Sequence, residues 1–184
     1  GGVQLTASAT ACTNFDRGEN VGQDLNIAAD ILVPTDGAGD TTEAGPYLRD
    51  RAAARGDGII GGMPFDPSGG YWIQLQSTGA VKVKNLRDAS IVAVSGTPAS
   101  FDTTIFHHLE IAAQGNNLQV ALDGRLQTFV QDGSSVTTVA IPPTNLPGDS
   151  GTGNAGTAGI AFGREGSIPI GGQRAKNLVV TTFG

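Results

Sequence analysis

Apolar residues recur at every second position in segment after segment of this chain. Gln23 to Val33 (QDLNIAADILV) sets Leu25, Ile27, Ala29, Ile31 and Val33 against polar or small residues, as expected of a strand with one face in a core. Gly70 to Leu86 (GYWIQLQSTGAVKVKNL) holds two such runs around Ser77-Thr78-Gly79, a hairpin signal. Glu110 to Val130 (EIAAQGNNLQVALDGRLQTFV) is interrupted at Gly115-Asn116-Asn117 and at Asp123-Gly124. It reads as two hairpin connections in series, with Gly115 and Gly124 supplying positive φ. Further strand candidates are Ala44 to Ala52, Ser90 to Val94, Ile105 to Ala113, Leu118 to Leu122, Arg125 to Val130, Val136 to Ile141, Ala155 to Gly163 and Arg174 to Thr182. No segment repeats apolar residues at i, i+3, i+4 and i+7 over a helical length. The expected fold class is all-β, with many short strands forming a sandwich or a barrel.

The chain has 184 residues, suited to a single β-sandwich domain over residues 1–184 with one sizeable core. It is 39% hydrophobic and 15% charged, a balance that suits a globule better than a disordered chain. Seventeen acidic against 11 basic residues give a net charge of −6, spread along the chain. Nucleic acid is therefore not an expected partner, because its binders cluster Lys and Arg. No apolar run approaches the roughly 20 residues of a membrane span, so membrane insertion is not expected. Cys12 is the sole cysteine, which excludes an intrachain disulfide and a Cys-based zinc site and reads as a small buried thiol. The Gly1-Gly2 start has no basic stretch followed by an apolar segment, so a secretion signal is either absent or already removed. Pro34 to Glu43, Ala53 to Gly69 and Pro142 to Gly153 read as long polar loops, of the sort that often carry function.

Several of these pieces occur in a recognisable order. "EAGPYLRDR", "GYWIQLQSTGAVKVKNL", "FHHLEIAAQGNNLQVALDGRLQTFV", "GTAGIAFG" and "AKNLVV" together resemble the concanavalin A-like jelly-roll modules of the laminin-G type, from about Gln23 onward. The resemblance implies two antiparallel sheets packed face to face, with sugars bound on a concave sheet face or at the rim loops. It also implies a secreted, extracellular or cell-surface setting, since such modules are attached to secreted bacterial glycoside hydrolases. Calcium is a common structural ion of the fold, for which Asn14, Asp16, Asp36, Asp40, Asp57 and Asp66 offer oxygen ligands. No spacing among them singles out a cage.

Strand parity nominates the site. Tyr47, Arg49 and Arg51 share one side of their strand, and so do Trp72, Gln74 and Gln76, while His108 and Glu110 point opposite to Leu109 and Ile111. The expected ligand-binding set is Tyr47, Arg49, Arg51, Trp72, Gln74 and Glu110. Amide, guanidinium and carboxylate groups pair with hydroxyls, and an indole offers an apolar face to a pyranose ring. With one Trp and two Tyr in the chain, a chain end or short oligosaccharide fits better than an extended crystalline polymer. The expected function is thus a non-catalytic carbohydrate-binding module. A sugar hydrolase or lyase using Glu110, Asp50 or His108 is the enzymatic alternative. The Glu-x-Asp-x-x-Glu strand of the laminarinase-like group on this fold is missing, and retaining hydrolysis needs two close carboxyl groups. A third alternative is an adhesive surface protein that self-associates through strand edges.

His107 and His108 face opposite sides of a strand and do not suit one shared metal. Gly151 to Gly156 spells G-x-G-x-x-G but precedes a β-like run, which is the wrong context for a dinucleotide site. Arg55-Gly56-Asp57 is a chance-level tripeptide, and no Asn-x-Ser/Thr acceptor occurs.

Overall fold

The computed structural model describes residues 2–4, 13–16, 24–35, 41–50, 70–86, 88, 90–142, 157–165 and 172–182. All the regular structure among them is strand. In chain order the strands are β1 (Gly2–Gln4), β2 (Thr13–Asp16), β3 (Leu25–Leu32), β4 (Thr41–Asp50), β5 (Tyr71–Gln76), β6 (Val81–Asn85), β7 (Ile91–Ser95) and β8 (His107–Gln114). They continue with β9 (Asn117–Leu122), β10 (Arg125–Leu126), β11 (Phe129–Gln131), β12 (Ser134–Val136), β13 (Val139–Ala140), β14 (Thr157–Glu165) and β15 (Arg174–Thr182).

They form two antiparallel sheets. The seven-stranded sheet runs β1-β15-β3-β8-β9-β10, with β13 on the same edge of β9 as β10. The eight-stranded sheet runs β12-β11-β7-β6-β5-β4-β14-β2. Alternation decides what lies between them. Leu25, Ile27, Ala29 and Ile31 of β3 join Leu109, Ile111 and Ala113 of β8 and Leu118 and Val120 of β9 in one buried cluster. Ala44 and Leu48 of β4, Tyr71, Ile73 and Leu75 of β5, Val81 and Val83 of β6, and Ile160 and Phe162 of β14 complete that cluster from the facing sheet. Burial of this apolar surface is the main stabilising contribution, at about 25 cal/mol per Å2.

Two expected strands are each divided. Arg125 to Val130 breaks after Leu126, where β10 belongs to the seven-stranded sheet and β11 to the other. Val136 to Ile141 breaks likewise, with β12 in the eight-stranded sheet and β13 back in the first. The physical reason is the layer spacing. Three peptide steps from Leu126 to Phe129, at about 3.3–3.6 Å each, span the roughly 10 Å between packed sheets. Phe129 thus reaches the core while Leu126 stays exposed.

The hairpins follow the turn chemistry read from the sequence. Gly115 and Gly124 have φ of 54° and 74°. Asp123 and Asp132 also adopt positive φ ahead of Gly124 and Gly133, the two-residue turn that matches strand twist. The chain leaves the strand basin at Arg49 as well, where φ is 56°, an uncommon conformation for a non-glycine residue.

Cys12, Arg51, the Arg55-Gly56-Asp57 tripeptide, and Gly151 to Gly156 lie outside the described residues. So do Asp36, Asp40, Asp57 and Asp66 and the side chains of Asn14, Asp16 and Asp50.

Candidate functional site

The face of the seven-stranded sheet turned away from the core is laid out in rows. Pairing between strands puts Val179, Ala28, Glu110 and Ala121 across β15, β3, β8 and β9, with Leu126 of β10 beyond Ala121. The next row is Thr181, Asn26, Ala112 and Gln119. Large or polar side chains thus stand around a floor of three alanines, and the result is a groove of about 360 Å3 lined by these residues. No lysine or arginine lines it among the described residues. Leu126 and Val179 are exposed apolar side chains on opposite sides of the floor.

One row further along, Lys176, Asp30 and His108 pair across β15, β3 and β8. His108 Nδ1 lies 2.7 Å from Asp30 Oδ1, and its Nε2 lies 3.2 Å from Glu110 Oε1. Asn177 Nδ2 donates to the other Asp30 oxygen at 2.6 Å. The Asp30 hydrogen bond, reinforced by Glu110, raises the His108 pKa above its ordinary value. The His108 hydrogen bond in turn holds the Asp30 carboxyl below the usual carboxylate range. Strand spacing alone brings these three charged side chains together, with Glu110 at the lip of the groove.

His107 faces the other way, as parity requires. It is buried, stacks on Phe101 at 4.1 Å, and sets Nδ1 2.7 Å from Asp123 Oδ2 and Nε2 2.7 Å from the Asp102 carbonyl. Burial works against the Asp123 carboxylate, but hydrogen bonds from His107 and the His108 amide outweigh it and lower its pKa. The two histidines therefore serve different faces. Among the described residues no three His, Cys, Asp or Glu side chains are arranged to hold a metal ion. The candidate calcium ligands fall outside the described side chains.

Tyr47, Trp72 and Gln74 sit on the eight-stranded sheet, on the face away from the main core. Tyr47 pairs with Trp72 in register, and both pack with Leu86 and Ala161 in a second buried cluster. Trp72 is 1% exposed, and its indole N–H donates to the Gly45 carbonyl at 3.1 Å. Gly163 has no Cβ because one would stand 2.6 Å from the Trp72 ring. Gln74 Nε2 donates to Glu43 Oε1 at 2.7 Å, with Gln76 Nε2 at 3.5 Å from Glu43 Oε2. Gln74 Oε1 is buried with no hydrogen-bond partner among the described residues. Sequence parity did not single out Glu43, the acceptor in this network.

Arg49 does not share the Tyr47 face. The left-handed φ at this residue breaks strand parity, and Nη2 donates across the sandwich to the Gly115 carbonyl at 2.6 Å. The Gly115 amide donates to Asp24 Oδ1 at 2.8 Å. Burial lowers the Arg49 pKa against the pull of Asp24 and Tyr71, and burial pushes the Tyr71 hydroxyl up to about 12. Of the six residues nominated for sugar binding, Tyr47, Trp72 and Gln74 come together and Arg49 spans the layers. Glu110 lies on the opposite sheet, and Arg51 is outside the described residues. Among the catalytic alternatives, Glu110 and His108 are in contact, while Asp50 belongs to β4 of the other sheet.

No protein-family model matches the sequence, and no curated protein matches it. Solved structures do match in fold. The carbohydrate binding module CBM66 from Bacillus subtilis is 16% identical with a TM-score of 0.60, over 99% of this chain and 92% of that one. A Bacillus subtilis protein with a galectin-like fold is 11% identical with a TM-score of 0.55, over 98% and 81% of the two chains. A cellulose induced protein is 16% identical with a TM-score of 0.50, over 92% and 72%. With these neighbours and two antiparallel layers, the fold is a concanavalin A-like jelly-roll β-sandwich, as the sequence resemblance implied.

Proposed function

We propose that this chain is a single-domain, non-catalytic carbohydrate-binding module that holds a glycan chain end or short oligosaccharide in the groove of the seven-stranded sheet. The observation that carries this reading is the groove's composition. A floor of Ala28, Ala112 and Ala121 offers apolar contact to the C–H face of a sugar ring. Asn26, Gln119, Thr181 and Glu110 supply donors and acceptors for hydroxyls around it. At about 360 Å3 the groove lies at the small end of ligand sites, which fits one or two sugar units. The fold shared with a carbohydrate binding module supports the reading. An extracellular setting, beside or attached to a polysaccharide-degrading enzyme, belongs to the same proposal. No helix among the described residues is long and apolar enough to cross a membrane.

A glycan array with and without a chelator tests ligand class and calcium dependence together, followed by calorimetry on the strongest hit. Asn26→Ala with Gln119→Ala is expected to weaken binding about tenfold or more, because each lost hydrogen bond contributes about 0.5–1.5 kcal/mol. Unchanged affinity in this double variant would remove the groove from the mechanism. Turnover of the bound glycan that disappears in Glu110→Gln would favour the enzymatic alternative instead.

A further inference from the structure

We infer that the groove selects sugars by charge, preferring an amino sugar to its neutral counterpart and disfavouring uronic acids; the inference rests on the sugar-binding reading above. Glu110 is the one charged side chain among the groove's described lining residues. Its Oε1 faces His108 Nε2, which leaves Oε2 to meet a ligand. Within the Asp30–His108–Glu110 chain the charges do not cancel. With His108 protonated between Asp30 and Glu110, the three groups sum to −1, one positive against two negative.

The neighbouring cation offsets this charge in the wider sum, but it does so from the Asp30 side and not at Glu110. Lys176 lies in the Asp30 row, beyond the row of Glu110, and its Nζ stands 4.1 Å over the Phe106 ring. Asn177, which holds the second Asp30 oxygen, is neutral. A ligand ammonium at Glu110 Oε2 would form a charge-assisted hydrogen bond, roughly twice as strong as the neutral bond a hydroxyl makes. A ligand carboxylate at the same place would meet like charge, with no arginine or lysine among the described lining residues to receive it. The Glu110 side chain is 55% exposed, so solvent screening limits the preference to about three- to tenfold at low ionic strength.

The test is calorimetry with three probes: a β-1,4-linked glucosamine dimer, its N-acetylated form, and a glucose–glucuronate dimer. It is run at a pH where the amine carries its proton, at low and at raised salt, on the wild-type chain and on Glu110→Gln. The expected result is about three- to tenfold tighter binding of the amino dimer than of the acetylated one, with the uronate weaker than the acetylated dimer by a similar factor. Raised salt should shrink that gap, and Glu110→Gln should close it, bringing the amino dimer down to whatever affinity the variant keeps for the acetylated one. Equal binding of amino and acetylated dimers, uronate binding as tight as that of the acetylated dimer, or an amino preference that survives Glu110→Gln would each overturn the charge selection while leaving sugar binding intact. If none of the three binds and the glycan array is also blank, the sugar-binding reading itself fails and this inference falls with it.

Discussion

Replacing Arg49 by alanine and by glycine separates two opposing contributions at one position. The guanidinium is 1% exposed and donates to the Gly115 carbonyl of the facing sheet, next to Asp24. Losing a hydrogen bond made by a charged donor costs about 1.5–3 kcal/mol, and emptying the buried volume of so large a side chain adds about 1–2 kcal/mol. The backbone works in the other direction. At a φ of 56° an L-residue is strained by about 1–2 kcal/mol, strain that alanine keeps and glycine relieves. Arg49→Ala should therefore lose about 3–4 kcal/mol, and Arg49→Gly about 1 kcal/mol less. In urea, with an m-value near 2 kcal/mol/M, the alanine midpoint should fall by about 1.5–2 M. Trp72, the sole tryptophan and fully buried, is the fluorescence reporter. An alanine variant within about 1 kcal/mol of wild type, or a glycine variant no more stable than alanine, would refute the inter-sheet latch and its strained backbone.

Three further outcomes follow from the geometry. His108 has a raised pKa, so its stabilising share is complete below its ordinary value of 6.5 and is lost as pH rises through the folded value. Asp30 has a lowered pKa, so its share is complete above 3.8 and is lost as pH falls through the folded value. The stability difference between wild type and His108→Asn should thus peak between those limits, at no more than about 1 kcal/mol because the pair is partly solvated; a flat difference across pH 3 to 9 in urea titrations argues against the pairing. Gly45→Ala drives a Cβ into the Ile73 carbonyl, backbone against backbone, and should lower stability by about 3 kcal/mol; a melting temperature within a degree of wild type would show that β4 and β5 part easily. Gln131→Ala removes two bonds to Ala140, one from Nε2 to its carbonyl at 2.9 Å and one from its amide to Oε1 at 2.8 Å. About 1–2 kcal/mol should be lost, and an unchanged urea midpoint would count against that clasp.

Much of the architecture was legible because alternation reports burial directly. β3, the β5–β6 hairpin, β8 and β9 fall within a residue or two of the runs that suggested them. Alternation is silent about which layer a strand joins, so Arg125 to Val130 and Val136 to Ile141 read as continuous. Parity placed Arg49 beside Tyr47 because it assumes an unbroken strand, and a positive φ is invisible when the residue is not glycine. It also says that Trp72 and Gln74 point away from the main core without saying whether that side is wet. The groove left a weaker trace. Ala28, Ala112 and Ala121 occupy positions where a solvated strand would carry polar residues. Only inter-strand register shows that they adjoin one another and that Glu110 stands among them.

The two changes of layer, after Leu126 and after Val136, stitch the sandwich shut within a short length of chain. Neither layer can peel off intact, since detaching β10 and β13 pulls on β11 and β12 across the interior. Unfolding should consequently be a single concerted event, with amide protons of both layers exchanging at one common rate-limiting opening rather than one layer surviving as a partly folded remnant.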